Sequence, residues 1–173
     1  GGAIAIGNFD GVHLGHQEVI KTAGKIAKKR GIPWGVLTFE PHPRSYFNKG
    51  AEPFRLTPFR LKSRYIDEMG VDFLVVLQFN NNLAEMTAED FISDVLVQGF
   101  NAKHIVSGND FVFGNKRKGT VEYLKEKGHK YRFESVGVTQ VKDYSGEIIS
   151  STRIRDYLVN AEPDKAAALL GRG

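Results

Sequence analysis

The chain of 173 residues has no cysteine. That excludes a disulfide framework, a thiolate metal site and a thiol nucleophile, and it fits a reducing compartment. No run approaches the roughly 18 apolar residues of a membrane span. No basic, apolar, small-residue leader opens the chain. Internal repeats and low-complexity tracts are also missing. A soluble, cytoplasmic protein is the expectation. An acidic excess is lacking too: 24 Lys and Arg stand against 20 Asp and Glu, a net charge of +4. Mild basicity suits an anionic ligand, but it does not separate nucleic acid from a phosphorylated metabolite. A solvated surface with extra lysines accounts for the total by itself.

The length fits one domain, with or without an appendage, and suffices to bury a core. Both ends read as cut. A strand begins almost at residue 1, and the end, AALLGRG, stops just past a helical pattern.

What is present alternates. Short apolar runs at Ala3–Ile6, Trp34–Phe39, Asp72–Gln78 and His104–Ser107 read as buried strands. Tyr131–Val136 and Val138–Asp143 alternate like further strands. Between them lie helical patterns: Leu14–Arg30 stopped by Gly31, Pro58–Met69, Ala88–Gln98 behind a Thr87/Asp90 capping box, and Thr120–Lys127 ended by Gly128. Ser151–Val159 and Asp164–Leu170 close the chain as helices, and Asn48–Thr57 reads as loop. Strands alternating with helices predict an α/β fold, a mostly parallel sheet with helices on both faces. In such sheets ligands sit at the carboxyl ends of the strands. The three richest loops, Gly7–Gly15, Glu40–Pro43 and Gly108–Gly119, all follow strands and are expected to converge on one edge.

The first of these is GNFDGVHLGHQ, Gly7–Gln17. Its glycines after a buried strand let backbone amides approach a ligand. The helix that follows favours anions at its N-terminus. His13 and His16 lie at that terminus. Metal ligands, a catalytic pair and a phosphate clamp are all open to them. Neither a Walker A loop nor a dinucleotide fingerprint is present. Helical zinc pairs space their histidines by four and want a third ligand, and His42, His104 and His129 are far off in sequence. A phosphate site is the better fit.

Gly7-Asn-Phe-Asp-Gly-Val-His-Leu-Gly-His16 resembles the His-x-Gly-His signature of the nucleotidylyltransferase superfamily. Ile149-Ser-Ser-Thr-Arg-Ile-Arg155 is similar to its second signature. Between them stand Phe39-Glu-Pro-His-Pro43 and Gly108-Asn-Asp-Phe-Val-Phe-Gly114. Those four motifs in that order resemble the FMN adenylyltransferase (FAD synthetase) module of the prokaryotic bifunctional riboflavin kinase/FAD synthetase family, over about Ala3 to Gly171. The family often carries Arg where Val112 stands. Its riboflavin kinase lies in a C-terminal domain, and Leu170-Gly-Arg172 resembles the junction to it. The resemblance thus implies an adenylyltransferase domain at 1–171, with an N-terminal start that reads as truncated. Residues 172–173 would begin the linker to the kinase domain, a covalent partner absent from this sequence. It also implies a Rossmann-like nucleotidylyltransferase fold.

The implied reaction is FMN plus ATP giving FAD and pyrophosphate, with Mg²⁺ and no protein nucleophile. His13, His16 and Arg155 would be the catalytic residues. Gly7, Asn8, Phe9, Asp10, Gly15, Gly108, Ser151 and Thr152 would bind ATP. Phe39, Pro41, His42, Pro43, Asp110, Phe111 and Phe113 would face FMN, with Asp110 also the metal candidate. Plainer roles stand beside these: Asp10 as a turn former, Ser151 and Thr152 as an N-cap, Arg155 as a solvated helix charge, Phe39 as core. Lys116, Arg117 and Lys118 would guide anions or be a solvated loop tip. Transfer of AMP or CMP to another phosphorylated acceptor is the rival activity, and a non-catalytic nucleotide-binding module the rival class. Nucleic-acid binding calls for aromatics along a basic stripe, and the lysines here are scattered.

Overall fold

The computed structural model describes residues 1–47 and 55–172. Most of the expected loop at 48–57 lies outside the described residues; Arg55–Thr57 belong to no helix or strand. Five strands form one sheet: β1 (Gly2–Ile6), β2 (Trp34–Glu40), β3 (Phe73–Gln78), β4 (Ala102–Gly108) and β5 (Glu134–Val138). The order is β3-β2-β1-β4-β5, and every pairing is parallel. Parallel neighbours need crossovers. These are α1 (Leu14–Arg30), α2 (Pro43–Phe47), α3 (Phe59–Asp67), α4 (Asn81–Glu85), α5 (Ala88–Asp90) and α6 (Val121–Tyr131); α7 (Ser151–Val159) and α8 (Pro163–Leu170) follow the sheet.

Period-two alternation splits the strands between two cores. Ile4, Ile6, Leu37, Phe39 and Ile105 pack with Phe91, Ile92, Leu96 and Leu124. Ala5, Val36 and Val106 face the other way, onto Val19, Ile20 and Ala23 of α1 and Ile66 of α3. Both faces are covered, which is why the strands read as continuous apolar runs. Ile20 is fully buried, and truncation to Ala would cost about 2–5 kcal/mol. A third cluster, Ile149, Ile154, Ala166 and Leu169, packs against Leu14 and Leu56. It folds the end of the chain back onto the start of α1.

Helix α1 ends as its sequence predicts. Gly31 takes the left-handed conformation, φ 64°, and its N–H reaches the Ala27 and Lys28 carbonyls. Four local expectations need correction. Helix α6 does not stop at Gly128: it continues to Tyr131 and caps on Arg132. Gly128 is needed for close approach, since a Cβ there would lie 2.5 Å from the Phe133 carbonyl oxygen. Consequently β5 begins at Glu134, and Tyr131 is helical. Val138–Asp143 forms no separate strand: Val138 is the last residue of β5, and beyond it only Lys142 bridges Ile148, antiparallel. The Val141 carbonyl accepts from Ile149 at 2.8 Å and Asp143 N donates to Glu147 O at 2.9 Å, while the Val141 side chain joins the third cluster, so the alternation serves one short bridge and packing. Finally, α5 widens into a π-helix over Phe91–Gly99, and the short α2 and α4 have too few turns to show a period. No helix among the described residues is long and apolar enough to cross a membrane.

From β1 the chain builds outward through β2 and β3, then returns to the other side of β1 with β4 and β5. The switch point therefore lies between β1 and β4. A ligand crevice is expected outside their carboxyl ends.

Candidate active site

The loop after β1 is bent against ordinary preference. Phe9 and Val12 have φ of 53° and 43°, and Gly11 has 92°. A β-branched residue at positive φ is strained, at about 1–3 kcal/mol, and persists only where neighbours over-determine it. They do. The Asn8 carbonyl accepts from Thr38 Oγ1 at 3.0 Å and Lys62 Nζ at 3.1 Å. The Phe9 carbonyl accepts from the Val12 amide, and the Asp10 carbonyl from Ser151 Oγ at 2.9 Å. The Gly11 carbonyl accepts from Arg172. Val12 O accepts from Gln17 Nε2 and Arg172, both at 2.9 Å. Five consecutive carbonyls are tied back into protein. Among the described residues the amides of Asn8, Phe9 and Asp10 meet no protein acceptor. Carbonyls held away and amides left over make a cradle for an anion.

His13 and His16 cap α1 reciprocally. His13 Nδ1 accepts from the His16 amide at 3.2 Å, and His16 Nδ1 accepts from the His13 amide at 3.3 Å. The rings stack, with centroids 3.5 Å apart and planes 17° apart. Phe9 meets His16 edge-on at 5.4 Å. Gly15 is required between them, because a Cβ there would sit 2.9 Å from His13 Cε1. Each Nδ1 is an acceptor, so each neutral ring carries its proton on Nε2 and offers that N–H to a ligand. Burial pushes the His13 imidazole down to about 4. It pushes His16 well below its usual range, with His13, Lys62, His42 and Arg155 adding repulsion. His42 behaves alike: Nδ1 accepts from the Arg44 amide at 3.0 Å, and burial lowers it to about 4. At neutral pH all three are uncharged Nε2–H donors.

Asp10 is buried. Its carboxylate accepts from the Leu56 amide at 3.0 Å, the Thr57 amide at 3.1 Å, Thr57 Oγ1 at 3.4 Å and the Arg155 guanidinium. It thus fixes residues 56 and 57 and orients Arg155. The cap of α7 is Ser150, whose side chain accepts from the Arg153 amide at 3.2 Å. The N-cap, the plainer alternative for Ser151 and Thr152, thus falls to Ser150. Ser151 instead bonds Asp10, and Thr152 is exposed. A cleft lined by Asp10, His42, Arg44, Ser45, Arg55 and Arg155 opens beside this network. Its three guanidinium groups suit phosphate.

The second wall follows β4. Gly108 ends the strand and Asp110 is exposed, with Oδ2 accepting from Gln140 at 3.2 Å. Phe111 stacks on Phe113 at 5.8 Å, and Phe113 is buried against Phe91. Phe39 is buried in the same core. Pro41 is exposed, and Pro43 opens α2 beside half-buried His42. A larger hollow of about 380 Å³, lined by Arg30, Lys103, His104, His129 and Arg132, lies at the opposite edge of the sheet. It faces the C-terminal ends of α1 and α6, whose partial negative charge opposes an anion.

Four residues of the network, Lys62, Glu40, Arg55 and Arg172, are not among the expected site residues. Lys62 is buried and Glu40 half-buried; Lys62 Nζ lies 2.7 Å from Glu40 Oε1, and Arg55 lies 2.7 Å from Oε2. Burial pulls the Lys62 ammonium below its ordinary range, and Glu40 opposes that. Arg172 also stacks 3.8 Å from the Tyr65 ring centre. One signal was available: Lys62 stands four residues before Ile66, on the apolar face of α3.

The profile of the FAD synthetase family matches residues 1–153. The chain belongs to that family. Two relatives, both named bifunctional riboflavin kinase/FMN adenylyltransferase, agree. The protein from Buchnera aphidicola (subsp. Schizaphis graminum) is 40% identical over 171 residues, 98% of this chain and 54% of its own length. That from Escherichia coli K12 is 39% identical over 99% of this chain and 54% of its own. A crystal structure from Streptococcus pneumoniae, described as a macrolide-efflux protein, superposes with a TM-score of 0.85 at 34% identity. It covers 99% of this chain and 55% of that one. This member of the FAD synthetase family thus spans about half the length of the relatives it matches.

Proposed function

We propose that the chain transfers the adenylyl group of ATP to the phosphate of FMN, giving FAD and pyrophosphate. One observation carries this reading. The stacked histidines present two neutral Nε2–H donors at a helix N-terminus, beside a loop with five consecutive carbonyls tied back. The names of the relatives supply the acceptor. An FMN phosphate oxygen attacks the α-phosphorus, the bond to the bridging β-oxygen breaks, and its electron pair leaves with pyrophosphate. The attacking phosphate is already ionised, so no base is required. Catalysis rests on positioning and charge stabilisation. His13 and His16 donate to the leaving pyrophosphate. Arg155, oriented by Asp10, neutralises charge. Ser151 and Thr152 line the start of α7 nearby. His42 and the loop after β4, with Asp110 and Phe111, face the flavin.

No cluster of three metal-ligating side chains occurs among the described residues. That suits Mg²⁺, which keeps several waters and binds through one or two carboxylates plus phosphates. Asp110 is exposed at the crevice, whereas the Asp10 carboxylate is filled by four donors. Asp110 would therefore hold the ion. When bound, Mg²⁺ supplies charge neutralisation on the polyphosphate. We place the reaction in the cytoplasm, with a riboflavin kinase domain as the covalent partner in the full-length protein.

Incubation with ATP, Mg²⁺ and FMN tests this. FAD and pyrophosphate should form in equal amounts. Turnover with another phosphorylated acceptor and none with FMN would sink the flavin assignment.

A further inference from the structure

We propose that Lys62 is a positioning residue of this site: through the Asn8 carbonyl, its buried ammonium holds the loop after β1 with its amides presented to the polyphosphate. The polyphosphate rests on the adenylyl-transfer reading; the geometry does not. Lys62 Nζ has three hydrogens and three acceptors, Asn8 O at 3.1 Å, Thr38 Oγ1 at 3.3 Å and Glu40 Oε1 at 2.7 Å. These belong to the loop and to the end of β2. Thr38 Oγ1 donates to the same carbonyl at 3.0 Å. The Asn8 oxygen is thus doubly held, next to the φ 53° bend at Phe9 and the ring that braces His16.

A plug for this core position needs no charge. Burying an ammonium is costly unless it is paired and fully bonded. Ile66, one turn on, fills the same face with hydrocarbon. The lysine does what a methionine cannot: it grips a loop carbonyl and places a positive charge behind the anion cradle. Its burial keeps it off the substrate, so it acts through Asn8.

Lys62→Met keeps the volume and removes donor and charge; Glu40 keeps Arg55 at 2.7 Å. Lys62→Arg restores the charge. Thr38→Val removes the other donor to the same carbonyl and leaves the charge. Calorimetric titration with inorganic pyrophosphate in Mg²⁺ buffer, flavin fluorescence titration with FMN, initial rates of FAD formation and melting temperatures are read on each. Lys62→Met should weaken pyrophosphate about 10-fold or more and raise KM for ATP in parallel, with FMN affinity within about 2-fold. Lys62→Arg should recover most of that loss, and Thr38→Val should show about a 3-fold loss. The proposal falls if Lys62→Met binds pyrophosphate like the native protein, or if FMN and pyrophosphate affinities drop together with the melting temperature. It falls equally if Lys62→Met does not fold and Thr38→Val leaves pyrophosphate binding unchanged. A native protein that binds pyrophosphate but makes no FAD would overturn the adenylyl-transfer reading and leave the comparison of pyrophosphate affinities standing.

Discussion

The loops after β1 and β4 flank one crevice but are built in opposite ways. The first is buried and tied to distant segments: β2 through Thr38, α3 through Lys62, residue 57 through Gly11 and Asp10, α7 through Ser151 and Arg155, and the chain end through Arg172. The second combines internal bonds with a few ties outward, from Asn109 to Val138, from Asn115 to Met86 and Glu85, and from Gln140 to Asp110. Phe111 bonds Gly108, Phe113 and Gly119 bond each other, and Lys116 to Lys118 stand exposed. Amides must be fixed before the charge arrives if they are to stabilise a leaving polyphosphate, because reorganisation during the reaction would consume their benefit. A loop that recognises an acceptor can rely on local contacts. On the proposed reading, the more widely tied loop is the one that meets the nucleotide and the other the one that meets the acceptor.

If so, damage to the first loop should reach further than damage to the second. The largest effect is expected for His16→Ala, which removes a donor to the leaving group and half of the reciprocal cap. Adenylyl transfer should fall about 100- to 1000-fold while FMN binding, followed by flavin fluorescence, stays near native. A loss confined to FMN affinity would reverse the roles of the two loops.

Asp10→Ala should come next. It leaves the Arg155 guanidinium without its buried carboxylate and frees residues 56 and 57. Breaking such a buried pair costs about 3–5 kcal/mol, read by denaturant unfolding, and kcat/KM for ATP should fall with it.

The pH dependence of stability sharpens the contrast. His13 has a folded pKa of about 4, below its unfolded value near 6.5. The unfolded chain therefore binds the extra proton first. Stability is fully present above pH 6.5 and declines as pH falls from 6.5 to 4, by roughly 3 kcal/mol for this group. His13→Asn keeps a cap acceptor and should flatten that slope in melting curves. An unchanged slope would show that other groups carry it.

The smallest effect belongs to the second loop. Asp110→Ala should alter stability by less than about 0.5 kcal/mol, since the side chain is exposed. It should still raise the Mg²⁺ or FMN concentration needed for half-maximal rate. A melting temperature that dropped as far as that of Asp10→Ala would erase the contrast.

Much of this was legible in order along the chain. The four long strands and the helices at Leu14–Arg30 and Ser151–Val159 show because period and caps are local. His13 and His16 show because their spacing places both on one helix turn. Lys62 and Arg172 do not, because their roles depend on carbonyls 54 and 160 residues away. Gly128 misled for a related reason: the sequence shows a glycine, but only packing shows that the Phe133 carbonyl occupies the place of a Cβ. Val138–Asp143 has a strand's alternation, but alternation does not reveal that its pairing with β4 ends at Val138 and that pairing returns only as one bridge at Lys142.

By itself the sequence determined the α/β alternation, the anion-favouring helix start with its two histidines, and the membership that the motifs announced. Tertiary structure decided that Lys62 and Arg172 hold the carbonyls of the loop after β1. It decided that Asp10 serves Arg155 and two loop amides. It also decided that, among the described residues, the amides of Asn8, Phe9 and Asp10 in a strained turn meet no protein acceptor. Those outcomes depend on which groups remain unpaired once the chain has closed on itself, a sum over contacts that no local pattern encodes.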